Sequence, residues 1–217
     1  MCGRFTLRTS PQRVAEIFGV EGELPLFRPR YNIAPTQEIA IIRDHHLQLV
    51  HWGLIPSWAD DPKIGSRMIN ARAEGLADKP AFRRAFKRGR CLVVADGFYE
   101  WRKMGTKKQP YLIHRRDDQP FAFAGLAEHW SRRDQTIDSA TIITTDPNPL
   151  MAPIHDRMPV ILGPEAQGLW LDPEFEGREQ LLALLRPYAE DDLEAVPVST
   201  LVNSPAHEDP ACITPLV

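Results

Sequence analysis

The hydrophobic pattern along this chain is mostly strand-like: short apolar runs, alternating or continuous, with few stretches at helical spacing. The run 10–19 reads as a helix. Ser10 can cap it, Pro11 suits its first turn, Val14, Ile17 and Phe18 share a face, and Gly19 stops it. Pro25, Pro29 and Pro35 keep the next stretch extended or looped. Residues 38–42 (EIAII) and 47–56 (LQLVHWGLIP) flank the polar turn RDHH and predict a hairpin. Phe82, Ala85 and Phe86 then recur at helical spacing, with Arg83, Arg84, Lys87 and Arg88 mostly on the other face and Gly89 as the stop. Further strands are predicted over 91–101, 110–115, 121–130 and 140–145, most of them dense in branched and aromatic residues, and a late helix over 178–188.

Many strands with a few interspersed helices lack the regular strand-helix alternation of a parallel sheet. The expected fold class is α+β, a mainly antiparallel curled sheet or barrel with a few peripheral helices. No repeat or linker divides the chain, so one domain over 1–217 is the simplest organisation.

Three stretches put hydrogen-bonding groups where a plain strand would carry none. INARAEG offers Asn70, Arg72 and Glu74 at alternating positions, which share a face in an extended chain. DGFYEW places Glu100 between Tyr99 and Trp101 at the end of an apolar run, and IHDRMPVIL places His155 and Arg157 before another. Each has an ordinary structural explanation: an Arg72–Glu74 pair, a solvated strand end, a satisfied core imidazole.

Composition narrows the classes. With 43% hydrophobic and 25% charged residues, the chain fits neither disorder nor a membrane protein. No apolar run reaches the length of a bilayer span, and the N-terminus lacks a secretory pattern, so a cytoplasmic protein is expected. Cys2, Cys91 and Cys212 have no spacing of a zinc site or a disulfide framework, so no metal is expected. A net charge of -3 gives no overall pull toward nucleic acid. The segment KPAFRRAFKRGR, however, has six cations and no acid, a local patch of the kind that can hold phosphate.

The blocks MCGRF, YNIAPTQ, HWGLIPSWA, INARAE, RCLVVADGFYEW and APIHDRMPVIL run in this order from Met1 to Leu162, with VNSP following near the C-terminus. As an ordered set they resemble the SOS response-associated peptidase (SRAP) family. The resemblance implies a protein that captures abasic sites in single-stranded DNA by forming a DNA-protein crosslink, and it leaves open whether junctions of single-stranded DNA with duplex are also bound. It also implies removal of Met1, a monomer, no cofactor, and nucleoid association if the source is bacterial. Carried over by motif, Cys2 is the nucleophile, with Asn70, Glu100 and His155 as catalytic companions. Arg4, Asn32, Arg72, Thr144 and Arg157 match positions that contact DNA or phosphate. Trp52 matches an aromatic residue at the bases, while Trp58, equally a candidate for core packing, is left unassigned. Val94 and Ala127 stand where the family commonly has a proline and a large aromatic, which bears on packing or a groove wall.

The implied chemistry accounts for the opening residues. An α-amine with a reference pKa of about 7.7–8.0 is roughly 10% neutral at pH 7, whereas a lysine near 10.4 is neutral at about 0.04%, so the terminus is the better imine former. The β-thiol of the same residue can then close onto the imine carbon without a search. Only an N-terminal cysteine has both groups so placed, and removing Met1 would expose it. Gly3 permits close approach of a DNA backbone and Arg4 could hold a phosphate. Glu100 is assigned to proton transfer at the amine, His155 to the sugar oxygen, and Asn70 to hydrogen bonding. Two rival readings stay open: a thiol peptidase with Cys2 as nucleophile and His155 or Glu100 as base, and a non-catalytic binder of damaged or single-stranded DNA.

Overall fold

The computed structural model describes residues 2–189 and 191–216. Its first strand, β1 (Phe5–Leu7), is buried along its whole length. The expected N-terminal helix follows as α1 (Pro11–Phe18): Ser10 accepts from the Arg13 N–H, and Gly19 closes the helix in the left-handed region at φ 63°. The proline-punctuated stretch contributes β2 (Arg30–Ile33). The expected hairpin is β3 (Glu38–Arg43) and β4 (His46–Trp52). Its two-residue turn, Asp44 and His45, has φ values of 51° and 61°, the twist that fits a tight antiparallel hairpin. After a 3-10 turn, β5 (Asn70–Arg72) is short and extended. The cationic helix is α2 (Arg83–Arg88), which buries Ala85 and Phe86 and exposes Arg83, Arg84, Lys87 and Arg88.

The long run 91–101 is two strands rather than one. β6 (Arg90–Ala95) and β7 (Gly97–Met104) belong to different sheets, and the chain passes between them at Asp96. Gly97 suits this close crossing, because a Cβ there would lie 2.9 Å from both Leu112 Cδ1 and Thr6 Oγ1 and would make those side chains shift. β8 (Lys107–Arg115), β9 (Phe121–Arg132) and β10 (Gln135–Thr145) complete the long strands. The short strands β11 (Met158–Pro159) and β12 (Ile161–Leu162) precede α3 (Pro164–Leu171), a helix with no counterpart in the sequence expectation. The late helix is shorter than its leucine pattern predicts: α4 spans Arg178–Ala183, and β13 (Leu193–Pro197) follows.

The strands form an α+β fold in two parts. β4, β3, β6, β9 and β10 pair in sequence around a closed ring, a five-stranded barrel to which β5, β11 and β12 attach. The second sheet has the order β13-β8-β7-β1-β2 and is antiparallel throughout. β10 also has two parallel partners, β4 and β5, the exceptions to the antiparallel expectation. One hydrophobic cluster runs through both parts. Phe5 meets Trp52 edge-on at 5.1 Å and Phe123 at 6.1 Å, while Phe98 meets Phe123 at 5.9 Å, so aromatic rings from the sheet interlock with rings from the barrel. Val94 and Ala127 are both buried in barrel strands, where they pack rather than line a groove.

Candidate active site

β1 lies between two strands of the five-stranded sheet, paired to β2 on one side and β7 on the other. The Tyr99 N–H donates to Arg4 O at 3.0 Å, which brings the next residue of β7, Glu100, alongside the start of the chain. β5 approaches through its parallel pairing with β10, and Asn70 Nδ2 donates to the Cys2 carbonyl at 2.8 Å. The turn before β11 brings His155, whose Nε2 lies 3.8 Å from Glu100 Oε2. Cys2, Asn70, Glu100 and His155 therefore come together from four separate segments. Glu100 and His155 face an open pocket of about 430 Å³ that Trp101, Lys108 and Asn203 also line.

The electrostatics of these groups differ. Glu100 is 2% exposed, and burial raises its pKa above the ordinary carboxylate value, with nearby His155 acting in the opposite direction. His155 Nδ1 accepts from the Arg157 backbone N–H at 3.0 Å, so the hydrogen-bond pattern puts the proton of the neutral ring on Nε2, facing Glu100. Nδ1 also lies 3.0 Å from Asp156 Oδ1, a contact that becomes attractive when the ring is protonated; for the neutral ring the N–H donor decides the tautomer. Cys2 is fully buried, and burial pushes its thiol far above the normal range, with the Glu100 charge adding to the rise. A resting thiolate is therefore disfavoured. Asn70 Oδ1 is buried with no hydrogen-bond partner among the described residues.

The residues expected to touch DNA divide. Arg72 is exposed at the end of β5. Arg157 is nearly buried and holds Glu74 through both carboxylate oxygens at 2.8 and 2.9 Å, Asp146 at 2.9 Å and Thr144 O at 2.7 Å. A phosphate would have to displace those carboxylates. Arg4 donates to Asn32 Oδ1 at 2.7 Å and to the carbonyls of Val202 and Asn203, which ties the first strand to the C-terminal segment.

Three assignments need correction. Asn32 is 0% exposed, with its amide donating to the carbonyls of Val202, Ser204 and His207, so it clamps the C-terminal segment rather than facing a ligand. Thr144 is 0% exposed within β10, its hydroxyl turned to Ala71 O. Trp52 is 0% exposed, its indole N–H donating to Ile69 O at 2.9 Å, which leaves no ring face for a base. Trp58, in contrast, is 54% exposed in the loop after β4. Its neighbours signalled this: Trp52 ends an apolar strand, whereas Trp58 sits in PSWADDP, among loop-forming and acidic residues. Met1, whose removal is expected, lies outside the described residues.

Among the described residues no cluster of histidine, cysteine or carboxylate side chains could hold a metal ion, and no helix is long and apolar enough to cross a membrane.

Comparison with known proteins places this arrangement. The chain is 48% identical over 221 residues to the abasic site processing protein YoqW of Bacillus subtilis, covering 98% of this chain and 99% of that protein. It is 35% identical to the abasic site processing protein YedK of Escherichia coli, covering 82% and 83% of the two chains. A crystal structure of a protein from Bacteroides thetaiotaomicron superposes over the whole of both chains with a TM-score of 0.91 at 29% identity. The family model described as SOS response associated peptidase (SRAP) matches residues 1–205, and the chain belongs to that family.

Proposed function

We propose that this chain processes abasic sites in single-stranded DNA by crosslinking to them through Cys2, once Met1 has been removed. The observation that carries the reading is the meeting of Asn70, Glu100 and His155 around the first strand, with Asn70 bonded to the Cys2 carbonyl at 2.8 Å. Relatives named as abasic site processing proteins supply the substrate class.

The steps follow from the groups present. The neutral α-amine of Cys2 attacks the C1 aldehyde of the ring-opened deoxyribose, forming a C–N bond and a carbinolamine. Loss of water gives the imine, and the thiol then adds across C=N: sulfur bonds to carbon, and its proton passes to nitrogen. The product is a thiazolidine, formed with net loss of one water. Glu100, with its raised pKa, suits taking a proton from the ammonium form of the amine and returning one to the departing hydroxyl. Its Nε2–H lets His155 donate to the sugar oxygen as the ring opens. Asn70 holds the Cys2 carbonyl and keeps Oδ1 for a substrate hydroxyl.

A peptidase that attacks through a resting Cys2 thiolate fits less well, because burial opposes that thiolate. In the crosslinking route the amine attacks first, and the thiol needs to lose its proton only as it bonds to the imine carbon.

Intact-protein mass spectrometry tests the reading. The full chain is incubated with a single-stranded oligonucleotide containing one abasic site, beside a Cys2→Ala control. The expected product has the mass of the chain without Met1, plus the oligonucleotide, minus water, and is absent from the control. A chain that has lost Met1 and forms no adduct overturns the proposal.

A further inference from the structure

β7 continues past Glu100 as a projecting ribbon. β1 pairs with β7 only at Gly97 and Phe98, and β13 pairs with β8 only from Tyr111 to Arg115. Beyond Trp101 and Pro110, the pairs Arg102–Gln109, Lys103–Lys108 and Met104–Lys107 have no further strand beside them, and Gly105, at φ 61°, turns the tip. Three pairs at strand spacing extend about 10 Å from the body.

The ribbon is strongly basic. Arg102, Lys103, Lys107 and Lys108 are all exposed, and no acidic residue occurs between Glu100 and Asp117. Arg102 and Lys107 lie on the strand face that carries Glu100, while Lys103 and Lys108 lie on the face that carries Trp101. Lys103 and Lys108 stand directly opposite each other, a like-charge pairing that destabilises a ribbon. No ion pair to a carboxylate relieves it among the described residues. Lys108 also lines the candidate active-site pocket together with Glu100 and His155, so the positive ribbon begins at the pocket itself.

We infer that this ribbon, residues 102–108, is an arm that binds the phosphate backbone of single-stranded DNA where the strand leaves the pocket. The inference rests on the reading that the chain engages DNA, and the surface it adds is a segment separate from the basic helix α2. Charge complementarity names the occupant: the ribbon that begins at the pocket carries four exposed cations and no acid, and a phosphate engaged at Lys103 or Lys108 relieves their mutual repulsion.

The test uses the full chain and the triple variant R102A/K103A/K107A, with all three positions exposed. Binding of a short undamaged single-stranded oligonucleotide is followed by fluorescence anisotropy through a salt titration, so no covalent step contributes. Each lost phosphate contact lowers the slope of log K against log salt by about 0.7, so a fall of at least about 0.7, and about 2 if all three cations engage, is expected. The Arg/Lys-swapped variant R102K/K103R/K107R should keep the parent slope. A slope unchanged in the triple variant overturns the inference, as does weakening that is independent of salt. If the cations serve only to keep the ribbon from pairing with another copy, the variant self-associates with its DNA slope intact, and the inference fails. Crosslinking to an abasic oligonucleotide is scored separately: a changed slope with no adduct in the parent chain sinks the proposed chemistry and leaves the arm standing. An adduct with an unchanged slope does the reverse.

Discussion

Asp96, at the crossing between the two sheets, ties down β1, the strand that follows Cys2, and its replacement by alanine should be costly. The carboxylate is 1% exposed. It accepts from Thr6 Oγ1 at 2.6 Å, Arg8 Nε at 3.0 Å, Thr9 N at 2.9 Å and Thr9 Oγ1 at 3.1 Å, with the Arg8 backbone N–H as a further donor. A hydrogen bond to a charged group contributes about 1.5–3 kcal/mol, and an orphaned buried donor costs about 1–3 kcal/mol. Adding full contributions would overcount, because Arg8 and Thr9 are half-buried and water can reach them, while Thr6 keeps Gly97 O at 3.3 Å. The loss should therefore resemble the breaking of one buried ion pair, about 4 kcal/mol. In a chain of this size that corresponds to a fall in Tm of roughly 8–16 °C. Urea and thermal unfolding followed by circular dichroism measure it, with hydrogen exchange at the Arg8 and Thr9 amides reporting where the structure loosens. A loss under about 1 kcal/mol, typical of a surface carboxylate, would refute the assignment of Asp96 as the anchor of β1.

The two tryptophans should separate cleanly. Trp52→Ala should cost about 3–5 kcal/mol of stability, whereas Trp58→Ala should stay within about 0.5 kcal/mol and, on the proposed function, weaken single-stranded DNA binding by about 1–3 kcal/mol in an anisotropy titration. Equal effects on stability would remove the distinction between them. Glu100→Gln should slow single-turnover crosslinking and also change how stability depends on pH. Because burial raises the Glu100 pKa, its favourable protonated form is fully present below the ordinary carboxylate value of 4.5 and is lost as pH rises through the raised value. The glutamine chain should therefore match the parent in acid and gain stability over it toward neutral pH, and parallel Tm curves across that window would contradict the burial argument.

Local signals in the sequence were readable where one physical cue sufficed. α1 carries its own cap, first-turn proline and terminal glycine, and the β3–β4 hairpin is written in two apolar runs around a polar turn. The crossing at Asp96 was not readable, because β6 is buried on both sides and shows no alternation that could register a change of sheet. The parallel pairings of β10 with β4 and β5 join segments tens of residues apart, which no local pattern encodes. Of the site, the residue types and chain positions stood out as polar interruptions, but their meeting depends on those same distant pairings. The errors at Asn32, Thr144 and Trp52 have a common cause. A polar or aromatic residue that satisfies its hydrogen bonds inside the protein looks, in sequence, the same as one that offers them to a ligand.

On the proposed function the nucleophile stands at a chain terminus and has to overcome fraying, since terminal residues are the least constrained part of most domains. Here the first strand is held at several points: between β2 and β7 by the sheet, at its far end by Asp96, through Arg4 to the C-terminal segment, and at the Cys2 carbonyl by Asn70. On the proposed chemistry these ties act unequally on the two bond-forming steps. Thiol and amine sit on the same residue, so closure of the five-membered ring has its high effective molarity whatever the backbone does. The attack of the amine on the aldehyde, in contrast, needs the terminus beside Glu100 and His155. Loosening the strand should therefore slow imine formation and leave ring closure largely intact. In an Asn70→Ala chain, borohydride trapping should give a smaller early imine signal with no accumulation of imine later. A variant that instead accumulates trappable imine would place Asn70 in the closure step.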